Sequence, residues 1–314
     1  MKTKFVTSYY AYHSGDPFWG QKNRERWYKY SLISICNVNE NVVCYTDNDD
    51  YGYNQLLEIK NMFNLNNLEI KIFKLSDNPW QERIYKIASS EKCPQYKDFT
   101  DYRFYLSPQI YWLKFHFMYL EFEPNINLYW IDCGLSHSGL FAKSTNPYSE
   151  LEGYDQGFPN ENYGEVEFRY YNFTKAFTPE FVKRVNKFNN NKLINLCHTN
   201  SHYNFGQFLE KLQLQDTLNI VNPINYPVAG FFGGNSNLIP KYVEYCYKLI
   251  EKILSYDDYL IPEQEIMCYL NTKYPEYIKN WTFNTFYHED WIEKGVFNPE
   301  TEISFSSFFT KNLY

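Results

Sequence analysis

The sequence predicts an α/β fold: a mostly parallel central sheet flanked by helices, in a single elaborated domain over residues 1–314. Three observations predict it. Strand-like and helix-like segments alternate through residues 4–75, the order of a parallel sheet with crossover helices. Residues 41–46, NVVCYT, form a continuous apolar run of the kind buried on both faces of such a sheet. Residues 128–131, LYWI, read as another hydrophobic strand, and it stops at a carboxylate, Asp132. The carboxyl ends of strands are where open α/β sheets bind ligands, although an Asp there can also simply cap a turn.

Each element follows in order. Residues 4–10, KFVTSYY, begin the fold as a strand. Residues 24–36 fit a helix, with Trp27, Tyr28, Ser31, Leu32 and Ile35 on one face. After the 41–46 strand comes a helix over 53–63, then a third strand over 68–75, LEIKIFKL, marked by its alternation. Residues 77–102 are mixed and polar and read as an excursion from the core. Ser107 and Pro108 make a cap and a first-turn proline, and Ile110, Leu113, Phe117 and Leu120 continue at helical spacing. That helix leads through Glu123-Pro124 into the strand that ends at Asp132. Residues 138–178 carry turn formers and aromatics with weak periodicity, as a lid or acceptor-side loop would. Helices are expected over 179–189, 203–214 and 240–254, with a short one from Pro262. The tail is aromatic, NWTFNTFYHEDW at 280–291, and no repeat or linker interrupts the chain.

Composition narrows the function classes. Net charge is −7 with no long Lys/Arg run, which argues against a nucleic-acid backbone as partner. The first twelve residues are too short and too polar for a signal peptide, and no apolar run approaches the ~20 residues needed to span a bilayer. A soluble cytoplasmic protein is expected, with at most peripheral membrane contact. The seven cysteines are odd in number, lack CxxC spacing and lie mostly in apolar contexts, as reduced buried thiols do. The 32 Tyr, 26 Phe and 7 Trp fit either compositional drift or a groove that stacks on sugar rings or bases.

Four features could carry chemistry. Asp47 and Asp132 each end a strand. The run Gly230-Phe231-Phe232-Gly233-Gly234 lies between a strand-like run and a helix. Glu263 and Glu265 open a later helix, in EQEIM. Singly, each has a plain structural use: a solvated turn for Asp47, a tight turn for the glycines, a favourable helix N-terminus for the glutamates. His288 alone reads as a surface or packed histidine, and Lys114 as a lysine whose stem covers apolar surface.

Their order resembles the GT-A-type nucleotide-sugar glycosyltransferases. The segments FWGQKNRERWYKYS, WIDCG, VAGFFGGN and PEQE more narrowly resemble the HtrL/YibB-like family of lipopolysaccharide-locus proteins. The resemblance spans residues 4–290 loosely, and WIDCG and GFFGG are its sharp pieces. It implies a GT-A-like sheet whose nucleotide-binding half is 1–132 and whose donor-sugar and acceptor half is 133–314. It further implies a nucleotide-sugar donor, with UDP as the family-weighted nucleotide, and a glycan or other hydroxyl acceptor. Thr7, Tyr10 and Asp47 would then lie near base and ribose, and Asp132 would hold Mn2+ or Mg2+ on the donor diphosphate. Gly230, Phe231, Phe232, Gly233 and Gly234 would wall the donor sugar. Glu263 or Glu265 would be the base or orient the acceptor. The chain departs from the family's D-x-D pattern at Gly134, where a second acid would stand. His288 as a second metal ligand, or Lys114 as a cation on the diphosphate, would compensate. A carbohydrate-binding protein that kept the fold without transfer is the competing reading. A sugar-phosphate nucleotidyltransferase ranks last, because YYAYHSGDPFWG supplies no Gly-rich phosphate loop.

Overall fold

The computed structural model describes residues 1–10, 32–33, 35–48, 52–90, 106–133, 177–200, 203–215, 224–261 and 263–283. In chain order the elements are β1 (Thr3–Ser8), β2 (Asn41–Thr46), α1 (Tyr53–Met62), β3 (Leu68–Ile72), α2 (Gln81–Ala88), α3 (Leu106–Leu120) and β4 (Asn127–Ile131). There follow α4 (Pro179–Asn189), β5 (Leu193–Asn200), α5 (Tyr203–Lys211), β6 (Ile224–Asn235), α6 (Ile239–Ile253), α7 (Glu263–Lys273) and β7 (Ile278–Phe283). The α/β class is as the sequence predicts: sheet strands flanked by helices, with parallel pairing in the majority of the registers below.

The chain divides into two compact units, each assembled from several segments. One comprises Met1–Lys2, Phe73–Trp130 and Asn189–Phe283. The other comprises Thr3–Ile72, Ile131–Phe188 and Asn284–Tyr314.

In the unit that contains β1, the strand order is β3-β2-β1 and both pairings are parallel. Val6 aligns with Val43 and Thr7 with Cys44, while Val42 aligns with Leu68. β2 is buried from Val42 to Thr46, which is why its sequence is a continuous apolar run rather than an alternation. Helix α1 buries Leu56 and Ile59, and the chain turns after it through Asn64 in the left-handed region (φ 51°), a conformation Asn tolerates. Helix α4 is capped by Thr178, whose hydroxyl accepts from the Phe181 amide at 3.2 Å. Its Phe181, Val182 and Val185 are buried, a helical stripe.

The other unit carries the order β4-β6-β5-β7. β5 is antiparallel to β6 and parallel to β7, with a bulge between Asn195 and Cys197. Neither β5 nor β7 follows from the sequence patterns above, and α2 lies in the stretch expected to be an excursion. Helix α6 buries Ile239, Tyr242, Val243, Cys246, Leu249, Ile250 and Ile253, the spacing that makes it legible. Trp80 and Arg83 of the α2 region both bond Glu251 on α6, at 3.2 and 2.6 Å. Gly206 sits exposed inside α5, and a Cβ there would meet nothing within 4 Å. Gly206→Ala is therefore expected to stabilise the protein by roughly 0.5–1 kcal/mol in urea unfolding, because alanine loses less backbone entropy on forming a helix.

The GFFGG run is corrected by the structure. It does not connect a strand to a helix; it is the carboxyl-terminal half of β6. Phe231 and Phe232 are 0% and 1% exposed. Their rings stack on Tyr129 and Trp130, at 5.5 and 6.4 Å between centroids, so they are core rather than a sugar-facing wall. Gly233 and Gly234 have φ of 127° and 147°. A Cβ on Gly233 would lie 2.2 Å from the Leu128 carbonyl oxygen, and one on Gly234 would lie 2.3 Å from that of Lys192. Both glycines thus let β6 approach its neighbours more closely than a side chain permits. Gly230 is buried in the same strand.

Candidate functional site

Two groups of polar and titratable residues stand out, one in each unit. The first lies around the carboxyl ends of β1 and β2. Thr7 and Thr46 are both fully buried, and neither side-chain hydroxyl has a hydrogen-bond partner among the described residues. Thr7 aligns with Cys44, and Thr46 lies two residues beyond Cys44, so both threonines project from the same sheet face. A buried hydroxyl without a partner is uncommon and costs stability, so a pair near strand ends calls for a functional explanation. Tyr10 is also buried, just past the end of β1. Asp47 is half-buried, and its Oδ1 accepts from the Asn48 amide at 2.8 Å, the local turn contact that the plainer reading of TDNDD expects.

Asp132 follows β4 and is half-buried. Cys133, beside it, is buried, and its thiol is pushed well above the ordinary range, first by burial and then by Cys44, Asp132 and Cys36. Among the described residues no three His, Cys, Asp or Glu side chains gather to hold a metal ion. Asp132 is the one expected metal ligand among the described residues, and a cation there would draw its remaining oxygen ligands from the donor diphosphate and water. His288, its other expected ligand, lies outside the described residues, as do all but the last two residues of the lid expected over 138–178.

The second group is a buried charged cluster at the start of α7. Lys114 projects from α3 and is 4% exposed. Its Nζ donates to Glu263 Oε1 at 2.5 Å and to the Ala229 carbonyl at 3.4 Å. The same ammonium stands 5.9 Å from the centre of the Trp130 ring, within cation–π range. Two residues earlier on α3 the Trp112 indole donates to the Ile261 carbonyl at 3.1 Å, which ties α3 to the chain entering α7. Glu265 Oε1 accepts from the Tyr226 hydroxyl at 2.9 Å, while its Oε2 is buried with no partner among the described residues. Burial pushes the Glu265 carboxyl up to about 7; the Tyr226 hydrogen bond and its own amide oppose the rise, and Glu263 adds to it.

The structure thus brings together Lys114, Glu263 and Glu265, which the sequence assigned to separate tasks. Lys114 is not a cation held out for a diphosphate: its charge is balanced by Glu263 inside the same unit. Tyr226 has no role in the sequence reading, yet it is the hydrogen-bond donor to Glu265. Its place at the head of YPVAGFFGG was the available signal, since a tyrosine buried in a strand needs an acceptor for its hydroxyl. The remainder of α7 is held by side-chain amides: Asn195 on β5 bonds Asn271, and Asn271 donates to Cys197 Sγ at 3.5 Å.

No family model matches the chain, and no curated protein does. Among the described residues no helix is long and apolar enough to cross a membrane. Among solved structures the chain is similar to the crystal structure of mouse Xyloside xylosyltransferase 1 in its apo form. The TM-score is 0.46 at 8% sequence identity, over 90% of this chain and 85% of that one. A likeness that loose assigns no residue a role.

Proposed function

We propose that the protein is a glycosyltransferase that moves a sugar from a nucleotide-sugar donor, with UDP as the nucleotide, to a hydroxyl of a glycan acceptor. The observation that carries this reading is the pair of fully buried hydroxyls of Thr7 and Thr46, unpartnered among the described residues, at the carboxyl ends of neighbouring parallel strands. That edge is where α/β sheets bind nucleotides, and a base or ribose would supply the missing partners. The WIDCG and GFFGG segments add the sugar-transfer part of the reading through the family they resemble.

Transfer breaks the bond from the anomeric carbon to the leaving diphosphate and forms one to the acceptor oxygen, whose proton must go to a base. In this reading Thr7, Thr46 and Tyr10 bind and orient the nucleoside. Asp132 accepts hydrogen bonds from donor hydroxyls and fixes the donor's angle of attack. The acid–base service is assigned to the acids of α7 on their chemistry alone. A divalent cation held by Asp132 would neutralise charge developing on the leaving diphosphate.

The test is thermal unfolding with UDP, GDP, CDP and their sugar conjugates, each with and without Mn2+, for the wild type and Asp132→Asn. A ligand at a hundred times its Kd should add about 2.7 kcal/mol of stability. One nucleotide is expected to stabilise the wild type, and its sugar conjugate is expected to lose that advantage in Asp132→Asn. Stabilisation by an oligosaccharide but by no nucleotide would favour the binding-only reading instead.

A further inference from the structure

The first turn of α7 buries two acids beside one lysine. Glu263 and Glu265 are 4% and 3% exposed, and Lys114 contacts the first of them. Glu265 faces no cation among the described residues. The titratable groups around it are Tyr226 on β6, Tyr259 ahead of α7, and Glu263 and Cys268 on α7 itself. Each of these is neutral or anionic. A carboxylate buried among them has neither solvent nor a counter-charge, so the neutral acid is favoured. Lys114 can neutralise one acid, and its ammonium lies on Glu263.

We propose that the two acids hold different charge states: Glu263 an anion fixed by Lys114, and Glu265 a neutral acid positioned by Tyr226. The Tyr226 hydroxyl donates to Oε1, which leaves the acid proton on Oε2, the oxygen without a partner. Tyr226 is therefore a positioning residue: it selects which oxygen of Glu265 is the donor. The charge assignment stands without the transferase reading; only its kinetic consequence rests on that reading. Under it, Glu265 carries its own proton below neutral pH and can accept the acceptor's proton only once ionised above it, so turnover rises towards the alkaline side.

The sign of the stability effect follows from the raised folded-state value. Between the ordinary value of 4.5 and about 7, the folded protein holds a proton that the unfolded chain has lost. Stability therefore declines through that window and levels off above it. The measurement is the Tm of wild type and Glu265→Gln at pH 5 and pH 8, with an isotope-edited infrared titration of the buried carboxyl. The Tm advantage of Glu265→Gln over the wild type is expected to be small at pH 5 and larger at pH 8. The infrared band of a protonated carboxyl should be present in the wild type at pH 5, absent from the variant, and lost near pH 7.

An equal Tm difference at both pH values, or no protonated band at pH 5, would overturn the proposal. If Glu265→Gln does not fold, the wild-type infrared titration decides alone. In Tyr226→Phe the loss of a hydrogen bond that lowers the value should move the midpoint to higher pH; an unmoved midpoint removes Tyr226 from the scheme. None of these readouts uses a nucleotide or a sugar, so they stand or fall separately from the transferase reading.

Discussion

Lys114→Met is expected to destabilise the protein by about 3–5 kcal/mol, the usual cost of removing one member of a buried ion pair. The side chain is 5% exposed and so is that of Glu263, so water cannot take over the lost contact. Methionine keeps most of the apolar stem, which confines the effect to the charge. The Ala229 carbonyl loses its donor and the Trp130 face its cation in the same step. The cost should shrink in acid, where Glu263 can take a proton in place of the lysine. Lys114→Met with Glu263→Leu is expected to recover most of the loss, because an apolar pair of similar volume has no buried charge to compensate. Urea unfolding of both single variants and the double variant gives the coupling directly. A Lys114→Met variant as stable as the wild type would show that the pair is solvated in solution.

Gly233→Ala is expected to cost about 4 kcal/mol or more, among the largest effects a single methyl can produce. Two causes add. The φ of 127° is one that L side chains rarely adopt. The new Cβ would also stand 2.2 Å from a backbone oxygen and 2.7 Å from the Tyr129 Cα, neither of which can swing aside as a side-chain tip could. Relief requires β6 to move away from β4, and that unstacks Phe231 from Tyr129 and Phe232 from Trp130. The measurement is the urea midpoint together with the near-ultraviolet circular dichroism of those aromatics. A midpoint within 1 kcal/mol of wild type, with unchanged aromatic signals, would contradict the close approach.

The legible elements are those whose signal is local. The apolar run of β2, the stripe of α6, the start of α4 at Pro179 and the acids opening α7 all appear in the sequence where the structure has them. The missed elements draw their stability from distant partners. β5 includes Asn195, a polar residue in a strand core that is tolerable only because Asn271 reaches it from α7. β7 includes Asn280, whose side chain accepts from Cys197 at 3.4 Å. Without those partners the same letters read as loop. The glycines of GFFGG announce a special backbone, but not that the neighbour pressing on it is a strand. The candidate site divides the same way. Asp132 was visible because a hydrophobic strand stops there. The union of Lys114 with Glu263 was not, because 149 positions separate them in the chain.

The segmented make-up of the two units has a consequence for biosynthesis. Residues 3–72 belong to one unit and 73–130 to the other, and the chain then returns to the first before it ends the second at residue 283. No cut in the gene releases either unit as an uninterrupted polypeptide. On the ribosome, α3 emerges long before α7 can supply the counter-charge for Lys114, so the early half of the chain must wait with that lysine unmatched. Neither unit can complete its packing until its last segment has emerged, the one ending at residue 283 and the other taking in residues beyond it.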